Sequence, residues 1–339
     1  CPDIAVTVLP PDDRIRYQPD VEPVRLHDAA TPTRQHRSAW RSSSFTALTR
    51  GLAHPVASAL PAPGSEADDR AAKLQADASG DLEEDLPGPA YQKLGGGARF
   101  GDLLHGLLEW QLAEGWPIAA EGSADPEQEA AWARFLSRRA EPLDLQAEEQ
   151  ATLSQWIRAL ARCPLGASPA AGADPIPALK DLDGAWPEMG FVLPTQGVSV
   201  ARVDSLLQAH IQPGVPRESL TPADLQGQLT GFLDLVFESG GRYYVLDYKS
   251  NRLPDYSAPR LAEAVLASRY ELQYALYLLA LHRLLKSRLP GYDYDCHIGG
   301  AIYVFARGID TPSNGIHRDR PPRALIEALD AEFRGGAAS

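Results

Sequence analysis

The alternation of apolar and polar positions is sharpest from Gly231 to Asn251 (GFLDLVFESGGRYYVLDYKSN). Two runs of β-formers, Phe232–Phe237 and Tyr243–Tyr248, flank Gly240-Gly241 there. A two-residue glycine loop between such runs predicts a hairpin, because primed turns need positive φ at their centre. That register sets Asp234 opposite Asp247, and strand alternation puts Lys249 on the face of Asp247. Leu233, Leu235, Phe237, Tyr244, Leu246 and Tyr248 fall on the other, wholly apolar face. One side of the hairpin is therefore expected in a core. The other gathers two acids and an ammonium among Phe232, Val236, Tyr243 and Val245.

Helical spacing of apolar residues marks Phe100–Leu112 (FGDLLHGLLEWQL) after Gly95-Gly96-Gly97, with His105 and Glu109 on one face. Residues 121–162 predict one or two helices. These bury Trp132, Phe135, Leu153 and Trp156 and expose Glu127, Glu129, Glu148 and Glu149 as a solvated face. Trp186–Leu193 predicts a strand with Glu188 near its start, and residues 198–209 a strand or short helix. One long helix is expected over Ala262–Leu289, with Leu266, Tyr270, Gln273, Tyr277 and Leu281 along one stripe. A strand at His297–Arg307 and a helix at Arg323–Phe333 close the pattern. Near the start, Trp40–Arg50 predicts a short helix capped from among Ser42–Ser44. Helices interleaved with strands in this order specify an α/β domain, a mixed central sheet flanked by helices.

Composition divides the chain. Residues 1–52, rich in Pro, Asp and Arg with a β-like run at residues 4–9, are expected to form an extended N-terminal arm or linker from a preceding region. Residues 53–90, rich in Ala, Pro, Gly, Ser and acid, predict a flexible tether, and 91–336 the globular domain. The sole methionine is Met189 and the chain opens with Cys-Pro-Asp, as expected of a domain cut from a longer protein. Three separated cysteines build neither a disulfide framework nor an iron–sulfur site, and fit a reducing, cytoplasmic setting. No apolar run approaches the length of a membrane span. A GxxxxGK[ST] phosphate loop is absent, so no ATPase machinery is visible. The net charge of −13 argues against tight, autonomous nucleic-acid binding. The acid, however, concentrates in Gly64–Leu86, with eight acidic and two basic residues, whereas residues 242–307 carry nine basic against six acidic.

Directly opposed carboxylates are destabilising unless a proton or cation lies between them. In apolar surroundings, a hard divalent metal with oxygen ligands is the simplest answer for Asp234 and Asp247. An ordinary Asp–Lys surface salt bridge is the plain alternative. Glu188 reads either as a third carboxylate near the hairpin or as an edge-strand charge. His105 reads as a ligand or a core histidine, and Tyr270 and Tyr277 as core aromatics or as phosphodiester contacts together with Gln273.

Asp234, then Asp247-Tyr248-Lys249, then Gln273-x-x-x-Tyr277 resembles the PD-(D/E)xK nuclease superfamily. Within it, GFLDLVFESGGRYYVLDYKSN, RYELQYALYLLALHR, HIGGAIYVFARGID and FGDLLHGLLE are similar to the RecB-type nuclease domains of RecBCD-type helicase–nucleases (exodeoxyribonuclease V), over roughly residues 91–335. The resemblance implies a restriction-endonuclease-like core and a Mg²⁺ site, which Mn²⁺ or Ca²⁺ could also occupy. Its ligands would be His105, Asp234, Asp247 and the Tyr248 carbonyl. Lys249 would orient the attacking water or offset transition-state charge, Glu188 would stand beside the site, and Gln273, Tyr277 and Tyr270 would face DNA. It further implies hydrolysis of single-stranded DNA fed by a helicase during recombination and repair, with RecC- and RecD-like partners and RecA nearby. A catalytically silent nuclease-fold module that docks partners such as RecA is the alternative.

Overall fold

The structure is a computed structural model of the 339-residue chain. It describes residues 40–49, 89–115, 125–166 and 175–335. The β-like run at residues 4–9 lies outside the described residues, as do the arm before residue 40 and nearly all of the acidic tether. At Trp40–Arg50, β1 (Arg41–Ser43) precedes a shorter helix, α1 (Phe45–Thr49), than expected. Ser42 and Ser43 pair in parallel with Gln228 and Leu229, while Ser44, the third cap candidate, directly precedes the helix and its carbonyl oxygen accepts the Leu48 N–H. This approach depends on Gly227, at φ +129°, where a Cβ would stand 2.1 Å from the Arg41 carbonyl oxygen.

Three helices follow, α2 (Ala98–Glu114), α3 (Pro126–Ala140) and α4 (Ala147–Arg162). The Asp125 side chain caps α3 by accepting the Glu127 N–H, and Gln146 with Glu149 forms a capping box on α4. Trp132, Leu153 and Trp156 are buried, and Phe135 half-buried. A small antiparallel pair, β2 (Pro164–Gly166) with β3 (Ile176–Ala178), leads to β4 (Gly184–Ser199) and α5 (Val200–His210). The hairpin is β5 (Asp224–Ser239) and β6 (Arg242–Lys249). Next come α6 (Ala258–Ala267), α7 (Tyr270–Arg288), the single-turn α8 (Tyr294–His297), β7 (Ile298–Phe305), β8 (Ile316–Asp319) and α9 (Arg323–Glu332).

The main sheet has the order β4-β5-β6-β7-β8, with β1 beside the first part of β5. Only β6–β7 and β1–β5 are parallel. Helices cover both faces, giving the expected mixed α/β architecture. One core holds Val236, Val245, Tyr270, Tyr277, Tyr303 and Leu325 with residues of α5, α6, α7 and α9. The other holds Leu104, Leu107, Trp132, Trp156, Leu235, Phe237, Tyr244, Leu246 and Tyr248, against α2, α3 and α4. Each fully buried leucine contributes about 2 kcal/mol relative to exposure.

Two expectations need correction. The helix foreseen over Ala262–Leu289 is broken between α6 and α7 at Arg269, φ +55°. The break is imposed by tertiary contacts, because buried Arg269 donates to Glu271, Asp204 and the Glu218 carbonyl oxygen. Leu233 leaves the apolar face assigned to it and packs in the opposite core, away from Leu235. The alternation slips where Glu188 on the facing strand adopts φ +51°. β8 and its pairing with β7 had no counterpart in the sequence pattern.

Candidate active site

Gly240 and Gly241 sit at φ +59° and +74°, as a type I′ turn requires. From that turn the strands pair Ser239↔Arg242 through Leu235↔Leu246, the register expected from the glycines. The ladder ends there, so Asp234 and Asp247 are the next residues on each strand, at the point where β5 and β6 part.

Each acid is held by its own partners. Asp234 Oδ2 accepts the Tyr248 N–H at 3.1 Å and lies 3.2 Å from Nδ1 of His105 on α2. The other ring nitrogen, Nε2, lies 2.9 Å from the Tyr248 carbonyl oxygen. A neutral imidazole has one N–H and cannot donate to both. One of the two contacts therefore needs a further proton, on the ring or on the Asp234 carboxyl, or a cation in its place. Asp247 Oδ1 takes Lys249 Nζ at 2.8 Å, both residues being buried. The Tyr248 peptide links these two halves. Its phenol lies on the α2 side of the sheet, and burial above all, then the charges of Asp234 and Asp247, holds its pKa far above the usual tyrosine value.

The Lys249 ammonium sits 4.1 Å from the centroid of the Tyr270 ring and 5.4 Å from that of Tyr303. Gln273 Oε1 accepts from Lys249 Nζ at 3.2 Å and from the Tyr303 hydroxyl at 2.8 Å, while Gln273 Nε2 donates to the Tyr277 hydroxyl at 3.0 Å. Gln273, Tyr270 and Tyr277, expected to face DNA, are thus buried around the lysine. Cation–π contact and amide acceptance fix the ammonium's position without neutralising it. Glu188 is half-buried, and pairing of its neighbours with Leu235 and Leu233 sets it across β5 from Asp234. A left-handed conformation at a non-glycine residue costs about 1 kcal/mol or more, and such strain clusters at functional sites.

The structure brings together His105, Asp234 and Tyr248, and separately Asp247, Lys249, Gln273 and the tyrosines. Among the described residues no three His, Cys, Asp or Glu side chains are gathered into a ready metal-holding group. Sequence reasoning missed Tyr303, although its strand was expected; the signal is the parallel pairing of Asp247 with Tyr303. It also missed Arg307, a fully buried guanidinium that donates to five carbonyl oxygens. Nε reaches Ser250, Nη1 reaches Tyr91 and Gln92, and Nη2 reaches Leu94 and Gly95. All five N–H groups are used, which ties the turn entering α2 to the residue following Lys249. Trp156 completes this joint by donating to the Ala306 carbonyl oxygen and stacking on Tyr91.

Comparison with known proteins agrees with this geometry. Over residues 82–338 the chain matches the family model described as the PD-(D/E)XK nuclease superfamily. It is 33% identical to the RecBCD enzyme subunit RecB of Escherichia coli (strain K12), over 96% of this chain and 26% of that protein. It is 39% identical to the Haemophilus influenzae subunit of that name, over 56% of this chain and 16% of the relative. To the Mycobacterium tuberculosis (strain CDC 1551 / Oshkosh) subunit it is 34% identical, over 86% and 28%. The chain thus spans about a quarter of the length of such relatives. No helix among the described residues is long and apolar enough to cross a membrane. With a matched region extending from before α2 to beyond α9 and a hairpin carrying Asp234, Asp247 and Lys249, the chain belongs to the PD-(D/E)XK nuclease superfamily.

Proposed function

We propose that this chain is the nuclease part of a RecB-type protein, a Mg²⁺-dependent deoxyribonuclease of the exodeoxyribonuclease V type acting on single-stranded DNA in double-strand break repair and recombination. The observation carrying this reading is the union of His105, Asp234 and the Tyr248 carbonyl beside Asp247 and Lys249 within this family. Nucleases of the superfamily generally use divalent metal ions. The donor set of one imidazole, two carboxylates and a main-chain carbonyl suits Mg²⁺ or Mn²⁺. His105, Asp234, Asp247 and the Tyr248 carbonyl would hold the ion. When bound, it would supply Lewis acidity toward the phosphodiester and lower the pKa of water.

The chain's own groups do the rest. Lys249, held by Asp247, Gln273 and the Tyr270 face, presents a fixed ammonium where negative charge builds on the phosphate oxygens. Because its partners are already in place, little reorganisation is needed as the reaction proceeds. Glu188 adds a carboxylate beside Asp234, placed to accept a proton from an attacking water. Burial of the whole group strengthens each of these interactions by keeping the local dielectric low. Partners would be the helicase part of the same protein and RecC- and RecD-like subunits.

The test is direct. A 5′-labelled single-stranded oligonucleotide incubated with the chain should be degraded with Mg²⁺ and remain intact with EDTA. Intact DNA with both Mg²⁺ and Mn²⁺, together with a calorimetric titration showing no stoichiometric cation site, would leave only a silent docking module.

A further inference from the structure

Among the described residues the exposed large hydrophobics include two aromatics, Trp40 and Trp186. Trp186 is 44% exposed, yet it is ordered against a neighbour: its ring stacks on Tyr243 with centroids 6.3 Å apart and planes within 26°. The two residues lie on different strands, and their rings meet across β5. Trp186 pairs with Val236, and Val236 with Val245. Val236 and Val245 belong to the core that includes Tyr270, Tyr277 and Tyr303, so this is the face on which Asp247 meets Lys249. Val245 precedes Asp247 by two residues, about 7 Å along a strand. On β4 the same two-residue step leads from Trp186 to Glu188. Trp186 therefore lies one step along the sheet from the candidate catalytic row and Tyr243 two steps, about 14 Å, on the same face, with Trp186 open to solvent. Glu238, which also lies between β4 and β6, turns its carboxylate back onto the Gly241 N–H, so its charge is engaged at the turn.

We propose that Trp186, braced by Tyr243, is a stacking platform for a nucleobase of the single strand, next to the phosphodiester presented to Asp247 and Lys249. The inference rests on the nuclease reading and adds a base-binding subsite to it. The interval of about 7 to 14 Å along the strands between the pair and the catalytic row is the span of one to two nucleotides of an extended strand. Every base has a π-face, so the platform grips DNA without regard to sequence, as a degradative enzyme requires. It also supplies sequence-neutral affinity to a chain whose net charge of −13 disfavours phosphate binding. Its apolar surface is small and flat, suited to one base rather than to a protein segment.

The experiment compares wild type, Trp186→Ala and Trp186→Phe on fluorescein-labelled oligo-dT. Anisotropy in EDTA gives affinity without cleavage, and steady-state degradation with Mg²⁺ gives KM and kcat. Trp186→Ala is expected to weaken binding and raise KM by about tenfold, with a smaller change in kcat, and Trp186→Phe to recover most of the loss. On an abasic deoxyribose-phosphate oligomer, wild type and Trp186→Ala should bind alike. Equal affinity and KM for the three proteins on oligo-dT would overturn the platform, as would an equal loss on the abasic oligomer. If the wild type cleaves nothing but its affinity still falls on Trp186→Ala, the nuclease reading fails and the platform stands.

Discussion

α7 begins between two buried ionic clusters, and they are built differently. On one side, Glu271 is met by Arg269 Nε at 2.6 Å and Arg217 Nη1 at 3.5 Å, while Arg269 Nη2 reaches Asp204 at 2.5 Å. Every cation there is a guanidinium, which keeps its charge and uses several donors in a fixed fork. On the other side, the single cation is Lys249, with one carboxylate, one amide oxygen and two aromatic faces. The first cluster spends its charges on each other and holds α5, α6 and α7 together. The second pairs its ammonium with one carboxylate, Asp247 at 2.8 Å, and surrounds the rest of it with an amide oxygen and two ring faces, which are neutral. Both clusters are charge-paired; what sets the second apart is a lone ammonium whose remaining partners are neutral, where the first interlocks two guanidinium groups with two carboxylates.

Removing one member from each cluster should separate these roles. Asp247→Asn is expected to lower DNA degradation by about a thousandfold with circular dichroism unchanged; near-wild-type turnover would erase the distinction. Asp204→Ala should do the reverse. It leaves Arg269 and the Leu220 N–H without their carboxylate, costing about 3 kcal/mol of stability in urea unfolding, while activity per folded molecule stays the same. A milder probe is Tyr303→Phe, which removes the hydroxyl donating to Gln273. About a fivefold loss in kcat, from roughly 1 kcal/mol of lost positioning, is expected with the fold intact.

The smallest effect concerns a buried polar group outside both clusters. His282 bonds Tyr292 through Nδ1 at 2.9 Å, and burial, partly offset by Asp330, holds its pKa below the ordinary 6.5. The folded state therefore favours the neutral ring. The stability this gives is fully present above the unfolded value and is lost as pH falls through 6.5 toward the folded value. Thermal melts of wild type should fall more between pH 7.5 and 5.5 than those of His282→Phe.

The parts of this arrangement readable from the chain are those encoded locally. Gly240-Gly241 between β-formers specified the turn, the turn specified the register, and strand alternation placed Asp247 beside Lys249, while Asp234, just past the end of the ladder, meets His105 instead. The stripe Tyr270, Gln273, Tyr277 was visible as helical spacing, because residues three and four apart share a face. What escaped was decided by distant partners. The break at Arg269 depends on Asp204, which is 65 residues away. The displacement of Leu233 coincides with a left-handed Glu188 on another strand. Arg307 appears in the sequence as a charge ending a strand, and its five acceptors come from main chain that no side-chain pattern reports. His105 was singled out as a candidate ligand through family resemblance, and what the structure adds is its place beside Asp234 and the Tyr248 carbonyl, which helical spacing alone could not report.

The contact between His105 and the Tyr248 carbonyl joins residues 143 apart, whereas the bond from the Tyr248 N–H to Asp234 joins residues 14 apart. Closing the hairpin is a microsecond event, but bringing α2 onto it must await the helices between. A chain in which only the hairpin has formed therefore holds Asp234 against the Tyr248 N–H without the His105 ring beside it. The candidate groups on α2 and on the hairpin thus come together only once that long-range closure is complete, so the assembled site reports on the whole domain and not on the hairpin alone.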